Sequence, residues 1–526
     1  MDGSGDQGQA SRWRGVRRSW VMGGGAVVVA LAVAAGLVIA DDGPAGIASP
    51  YDCGTGGGHG TATAAPGSDR PASEGTADFD GDGHPDLVLG GPADVEGAVG
   101  GGSIEVVYGA GEGAGTARCQ FLTQDDAGIP GKSDYEAFFG AETVARDFDG
   151  DGYSDLAVTV LDSGSGIIIM WGSEEGLSRA ARVPGTDVSH VAWDNDGSLN
   201  ESLVAGDFDG DGHCDLVFGL GSDKGLLKGP FGRDGDPAGT GRVRAPRRPS
   251  ADVELASYVD LVAGDLDGDG IDDLVSFHNA DTKSEVNRPV SYLRGGRNGF
   301  TQPEGTRLPD ADTGAIGDVD GDGIDDLVLN PFGGDPSRSS VTVAYGSEDG
   351  PGERTTTVDQ NTPGVPGDEL REQDVVFESL DTGDVNGDGY EDVVAGAPRW
   401  DLDGNGEPGP EYVLFLAGGP EGLSGAGARL FDGRDLGAAP GGDADFGAAV
   451  GLTDLDGDGL ADLVVTAPGS GTVDSVTWLL SGTTDGPSAE GVARLSADTF
   501  EDAGPDTAMG LGGIAHRGFR SSSPAI

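Results

Sequence analysis

The chain has 526 residues, 99 of them glycine and only 6% aromatic, and its 91 aspartates and glutamates against 31 lysines and arginines give a formal charge of −60. That sign opposes nucleic-acid binding, which draws on basic side chains that displace counterions from phosphates. Glycine far exceeds its usual share of roughly 7% without a three-residue period, which excludes collagen and indicates short strands joined by many turns.

The amino terminus reads as an export segment. Arg12, Arg14, Arg17 and Arg18 precede an apolar run from Trp20 to Ala40, and basic residues before such a run place the chain beyond it on the outer side of a membrane. The ending Val38-Ile39-Ala40 suits cleavage as a signal peptide, and the run is also long enough to stay as a transmembrane anchor. Residues 1–40 are therefore a signal or anchor. Residues 41–75, rich in Gly, Ala, Ser, Thr and Pro, are expected to form a flexible linker.

From Asp78 to Asp462 the chain writes one nonapeptide, D-x-[DN]-G-D-G-x-x-D, seven times, at 78–86, 147–155, 207–215, 265–273, 318–326, 384–392 and 454–462. The starts lie 53 to 70 residues apart, a loose period that marks repeated supersecondary units. Oxygens at positions 1, 3 and 5 converge when the chain turns tightly, and glycines at 4 and 6 supply the backbone angles that a Cβ resists. This is the chemistry of a calcium loop, with carboxylates at positions 1, 3, 5 and 9 and a backbone carbonyl at position 7.

The expected ligands are Asp78, Asp80, Asp82, the His84 carbonyl and Asp86 in the first copy, and Asp147, Asp149, Asp151, the Tyr153 carbonyl and Asp155 in the second. The third offers Asp207, Asp209, Asp211, the His213 carbonyl and Asp215, and the fourth Asp265, Asp267, Asp269, the Ile271 carbonyl and Asp273. The fifth offers Asp318, Asp320, Asp322, the Ile324 carbonyl and Asp326. The sixth has Asp384, Asn386, Asp388, the Tyr390 carbonyl and Asp392, and the seventh Asp454, Asp456, Asp458, the Leu460 carbonyl and Asp462. Up to seven Ca²⁺ ions are expected.

Position 7 varies among His, Tyr, Ile and Leu, as suits a ligand whose side chain is irrelevant, and this argues against His84 and His213 as zinc ligands. The extra acids at position 8, Asp272, Asp325 and Glu391, are expected to point to solvent. Asn386 removes one charge, so its loop should be the weakest or tied for weakest. A partial motif at 401–411 reads as a polar turn or an incomplete eighth loop.

An EF-hand would need glutamate at position 12 and flanking helices. Position 12 is instead Leu89, Val158, Phe218, Ser276, Leu329, Ala395 or Val465, and each copy runs into an apolar strand such as DLAVTVL or DLVVTAP. A leading strand before each loop and further strands such as GIIIMWG and SVTVAYG give roughly four per unit.

With the Phe139-Gly140 and Phe446-Gly447 pairs, the Gly-Ala-Pro at 396–398 and the loops between them, the chain resembles the FG-GAP repeats of integrin α-chain heads and related bacterial proteins. The resemblance implies an all-β fold, a seven-bladed β-propeller over 76–516 with a metal loop joining the first two strands of each blade, and then a tail at 517–526. The first loop lacks a full strand before it, and MGLGGIAHR at 509–517 aligns with FGAETVARD at 139–147. The ring is therefore expected to close by pairing of its N- and C-terminal strands.

Three cysteines, Cys53, Cys119 and Cys214, allow at most one intramolecular disulfide, for which Cys53 and Cys119 are candidates in an oxidising location. The six histidines are scattered, and G-x-S-x-G occurs only as DSGSG at 162–166, so no catalytic constellation stands out. Arg242, Arg244, Arg247 and Arg248 form a basic cluster, and Trp193, Phe231, Trp400 and Phe431 are candidate partner contacts in the insertions.

Two functions fit. One is an exported, non-catalytic recognition or adhesion module, expected to be monomeric, for an extracellular protein or glycan, touching membrane only through an uncleaved N-terminal segment. The other is a secreted hydrolase or lyase acting on polysaccharide from a propeller scaffold. Fold resemblance cannot choose between them.

Overall fold

The computed structural model describes residues 47, 49–52, 77–91, 101–111, 118–133, 137–160, 166–186, 202–220, 223–243, 254–282, 285–331, 340–367, 377–398, 411–437, 445–467, 475–496 and 499–500. The export segment, most of the linker, Cys53, the stretch 401–410, Trp193, Trp400, Arg244, Arg247, Arg248 and the closing stretch 509–517 lie outside them. Among the described residues 28 strands form seven four-stranded antiparallel sheets, and none is α-helical.

Blade 1 contains β1 (Tyr51–Asp52), β2 (Leu87–Gly91), β3 (Ser103–Val107) and β4 (Arg118–Leu122). Blade 2 runs in chain order through β5 (Thr143–Arg146), β6 (Asp155–Val160), β7 (Gly166–Trp171) and β8 (Arg179–Arg182). Blade 3 is β9 (Leu203–Gly206), β10 (Asp215–Leu220), β11 (Asp223–Lys228) and β12 (Gly239–Val243). Blade 4 uses β13 (Glu254–Gly264) and a long β14 (Asp273–Thr282) that pairs both with the short β15 (Glu285–Asn287) and with β16 (Val290–Leu293).

Blade 5 is β17 (Ala311–Gly317), β18 (Asp326–Pro331), β19 (Ser340–Ala344) and β20 (Thr355–Asp359). Blade 6 is β21 (Ser379–Gly383), β22 (Asp392–Ala397), β23 (Tyr412–Leu416) and β24 (Arg429–Phe431). Blade 7 is β25 (Ala449–Thr453), β26 (Asp462–Ala467), β27 (Val476–Leu480) and β28 (Ala493–Ser496). In blades 2 to 7 an aspartate loop joins the first two strands, and the leading strands of adjacent blades lie next to one another.

Burial tracks strand order. The second strands are buried along their length, as in Asp155–Val160 and Asp462–Ala467, because neighbouring blades cover both faces. The fourth strands Thr355–Asp359 and Gly239–Val243 instead alternate exposed and covered residues, as outer edges do. An apolar residue at position 2 of each loop, Phe79, Phe148, Phe208, Leu266, Val319, Val385 or Leu455, is wholly buried in the core shared with the following blade. Each such side chain contributes roughly 1.5–3 kcal/mol of burial. In six interfaces its carbonyl also accepts an N–H from that neighbour, as from Ser173 to Phe79 at 3.0 Å and Phe231 to Phe148 at 2.8 Å.

Seven separate apolar clusters fill seven interfaces, so the ring is closed. The last joins Leu87, Leu89 and Val107 of blade 1 to Leu455, Val464 and Leu479 of blade 7, and Ala110 N–H donates to the Leu455 carbonyl at 3.1 Å. The expected partner of the first blade's β2, at 509–517, lies outside the described residues. Within the expected linker, Tyr51–Asp52 pairs with the outermost strand β4, and Ile47 N–H donates to Ser178 of blade 2 at 3.1 Å. This short segment of the expected linker is therefore fastened to the rim. Cys119, opposite Tyr51 in that pair, is disulfide-bonded, and Cys214 is a free thiol.

Candidate metal centres

Every aspartate loop is drawn together by its own backbone. In all seven copies Oδ1 of the first aspartate accepts the position-5 N–H at 3.0–3.2 Å, while Oδ2 accepts the position-6 N–H at 2.8–3.0 Å. The position-5 aspartate accepts the position-7 N–H at 2.9–3.2 Å. Such turns need left-handed backbone, and Gly81 and Gly83 supply φ of +69° and +89°, with matching angles in the other copies.

The aspartate at position 9 opens the second strand and fastens the loop to the blade. Its Oδ1 accepts the N–H of a glycine just past the third strand, Gly109, Gly172, Gly229, Gly295, Gly346, Gly418 or Gly482, at 2.8–3.0 Å. Its Oδ2 accepts the position-2 N–H in five copies, as from Phe79 to Asp86 at 2.7 Å.

These bonds converge the carboxylates. One oxygen each from Asp78, Asp80 and Asp86, from Asp147, Asp149 and Asp155, and from Asp318, Asp320 and Asp326 lies within 4.8 Å of the others, and the same holds for Asp207, Asp209 and Asp211 and for Asp265, Asp267 and Asp269. Several oxygens are left wanting a partner. Asp209 Oδ1, Asp215 Oδ2 and Asp320 Oδ1 are buried with no hydrogen bond, a costly state for a carboxylate unless a cation completes it.

Burial, with the neighbouring loop carboxylates adding to it, pushes Asp155 up to about 8 and Asp215, Asp273, Asp326, Asp392 and Asp462 up to about 7. Asp86 is raised well above the carboxylate range for the same reasons. A hard cation with oxygen ligands fits this donor set, since its charge would favour the ionised form of each acid.

Two expectations need correction. Position 7 is not indifferent to its side chain, because in six interfaces that residue roofs the position-4 glycine of the preceding loop: Tyr153 over Gly81, Ile271 over Gly210, Ile324 over Gly268, Tyr390 over Gly321, Leu460 over Gly387 and His84 over Gly457. His84 is thus a packing residue between blades. The position-8 acids do not point to solvent either. Asp272 Oδ2 accepts Asp207 N–H at 2.7 Å, Asp325 Oδ2 accepts Asp265 N–H at 3.1 Å, and the Glu391 carboxylate lies over Gly317.

The backbone repeats this link. Position-8 N–H groups of Ser154, Asp272, Asp325, Glu391 and Ala461 donate to the position-1 carbonyls of Asp78, Asp207, Asp265, Asp318 and Asp384, at 2.8–3.2 Å. The first copy carries Pro85 there, which has no N–H. Asn386 uses its amide twice, donating to Asp392 Oδ1 at 3.2 Å and accepting Asp388 N–H at 2.9 Å.

Sequence reasoning missed a set of basic partners. Arg118 pairs with Asp80 at 2.8 Å, Arg233 with Asp149, Lys228 with Asp209, Arg294 with Asp267 and Arg354 with Asp320, so position 3 carries a counter-charge in five copies, and Arg233 also pairs with Asp151. Of the aromatic candidates, Phe231 is buried edge-on against Phe148 at 5.6 Å and Phe431 is buried in the blade 6–7 core, so neither is a surface contact. Arg242 lies on the outer strand β12.

The FG-GAP repeat family matches residues 70–107, 376–414 and 446–485, and the FG-GAP-like repeat family matches 147–218. The chain carries FG-GAP repeats and is similar over part of its length to integrin α chains. Integrin alpha pat-2 of Caenorhabditis elegans is 31% identical over 238 residues, 42% of this chain and 18% of that protein. Phosphatidylinositol-glycan-specific phospholipase D of Rattus norvegicus is 32% identical over 150 residues, 27% of this chain and 17% of that protein. The FG-GAP chain thus spans less than a fifth of either relative. A lectin of Agrocybe aegerita specific for non-reducing terminal N-acetylglucosamine superposes with a TM-score of 0.43 at 16% identity, covering 80% of this chain and 92% of that one.

Proposed function

We propose that this FG-GAP propeller is an exported, calcium-binding recognition module that takes up to seven Ca²⁺ ions and binds an extracellular protein or glycan as a monomer. The observation that carries the calcium reading is the set of buried carboxylate oxygens without hydrogen bonds, on Asp209, Asp215 and Asp320, inside loops whose backbone already gathers the acids. Export is supported by the disulfide at Cys119, since such bonds persist in oxidising compartments. With loop chemistry shared among the blades, selectivity falls to stretches whose sequence does not repeat from blade to blade, 223–257, which holds the outer strand β12, and 399–411.

The alternative, a polysaccharide hydrolase or lyase, gains little from the described residues. Ser276 Oγ and His278 Nε2 are 3.0 Å apart, but both residues are buried and neither can meet a substrate. The deciding experiment is a glycan array and protein pull-down with the full chain, in calcium and in chelator. Calcium-dependent retention of one glycan or protein class supports recognition, whereas release of new reducing ends from a polysaccharide would replace it with the enzymatic reading.

A further inference from the structure

Three loops share a side-chain arrangement that their motif does not contain. In blades 1, 4 and 5 an arginine from the third or fourth strand region puts one arm on the outer oxygen of the position-3 aspartate: Arg118 on Asp80 Oδ2, Arg294 on Asp267 Oδ2 and Arg354 on Asp320 Oδ2. The other arm crosses to the next blade. Arg118 Nη2 donates to the Glu175 carbonyl at 3.1 Å, Arg294 Nη2 to that of Glu348 at 3.0 Å and Arg354 Nη2 to that of Glu421 at 2.8 Å.

A tyrosine at or just past the third strand accompanies each arginine, and two of the guanidinium groups rest on its ring. Arg118 lies 4.7 Å from the Tyr108 ring centroid and Arg354 lies 3.7 Å from that of Tyr345, while in blade 4 the Tyr292 hydroxyl donates at 3.3 Å to Asp267 Oδ2, the oxygen paired with Arg294. The tyrosines continue the crossing, because Tyr108 and Tyr345 hydroxyls accept Leu177 N–H and Leu423 N–H at 3.0 and 3.1 Å in the turns of the following blades.

The position-3 side chains are nearly sealed, with 4%, 1% and 5% of Asp80, Asp267 and Asp320 exposed, so water does not orient them. An arginine fixed on Oδ2 leaves Oδ1 for the loop interior. In blade 5 that oxygen, Asp320 Oδ1, is the one without a hydrogen bond. Blade 6 provides an internal contrast, since Asn386 replaces the acid and Arg429 keeps only the crossing arm, donating to the Pro487 carbonyl at 2.9 Å.

We infer that Arg118, Arg294 and Arg354 are positioning residues for the cation: each presents one oxygen of its aspartate to the ion and ties the loaded loop to the turn of the following blade. The inference rests on the reading that the loops bind calcium. Outer-shell partners of metal ligands typically change affinity by about 10–100-fold when removed, and here the same residue carries a second, structural contact whose response can be read independently.

The test is amide hydrogen exchange of the full chain, measured peptide by peptide through a calcium titration, for the wild type and for Arg354→Gln, Arg354→Lys and Arg118→Gln. In Arg354→Gln the protection midpoint of the 318–326 loop should move to about tenfold higher calcium, and calcium should no longer slow exchange in the 419–423 turn. The distant 147–155 loop should keep its midpoint. Arg354→Lys, with charge but one contact, should recover part of the midpoint and none of the turn's response.

Arg118→Gln should repeat the result at 78–86 and 173–177. A wild type whose loops ignore calcium would overturn the calcium reading itself. Loops that respond in the wild type, with an unchanged or lower midpoint in both glutamine variants, would overturn the arginine assignment alone.

Discussion

Tyr153 lies across Gly81, where a Cβ would come within 2.7 Å of its ring, so the second loop roofs the first. Gly81→Ala therefore meets both the left-handed φ of +69° and the neighbour's ring, at a cost of about 2–4 kcal/mol. Gly150, at φ +77° with nothing within 4 Å, should cost about 1–2 kcal/mol. Denaturant unfolding in saturating calcium measures both. In a Tyr153→Ala background the two penalties should converge, and equal penalties in the wild-type background would refute the roofing contact.

Stability without calcium should fall as pH rises. Six of the seven position-9 aspartates stand at about 7 to 8 in the folded chain, Asp86 is also raised, and all stand at about 3.9 when unfolded. The folded state thus binds more protons, so stability decreases between roughly pH 4 and pH 8. In chelator the melting temperature should be higher at pH 5.5 than at pH 7.5, and saturating calcium should abolish or invert that order. A chelated protein that is more stable at pH 7.5 would contradict the assignment.

The cysteines give a counting test. Cys119 is disulfide-bonded and Cys214 is free, so denatured, unreduced chain should titrate one thiol and reduced chain all three. Burial pushes the Cys214 thiol well up, and the folded protein should react slowly with thiol reagents. Cys119→Ser should cost about 2–4 kcal/mol in chemical unfolding.

Asn386→Asp restores the fourth carboxylate of the sixth loop. It removes the amide bond to Asp392 and adds a charge beside acids already raised by burial, so the chelated protein should lose stability. Calcium affinity at 384–392 should rise about tenfold, in line with the dependence on ligand charge. Exchange protection of that loop across a calcium titration reports both effects.

The loops were legible because their information is local: acids and glycines at fixed offsets inside nine residues decide the turn. The contacts between loops were not, since Asp272 and the Asp207 N–H it accepts are 65 residues apart and position 7 looks arbitrary until the preceding glycine is placed beneath it. The arginines escaped because Arg118, Arg294 and Arg354 stand at different distances from their loops: Arg294 directly follows the third strand, whereas Arg118 and Arg354 stand beyond the next turn. The rim strand β1 escaped for another reason. Two residues, Tyr51 and Asp52, show no period inside a Gly-rich run.

Pro85 leaves the first blade without a position-8 N–H. Where Ser154, Asp272, Asp325, Glu391 and Ala461 each link their loop to the one before, the first blade has no hydrogen to give, and among the described residues it holds blade 7 through Ala110, His84 and an apolar seam. A bracelet opens at its clasp. Pulling force, or a partner that wedges the disc, should part blades 7 and 1 before the five joints that carry the position-8 bond.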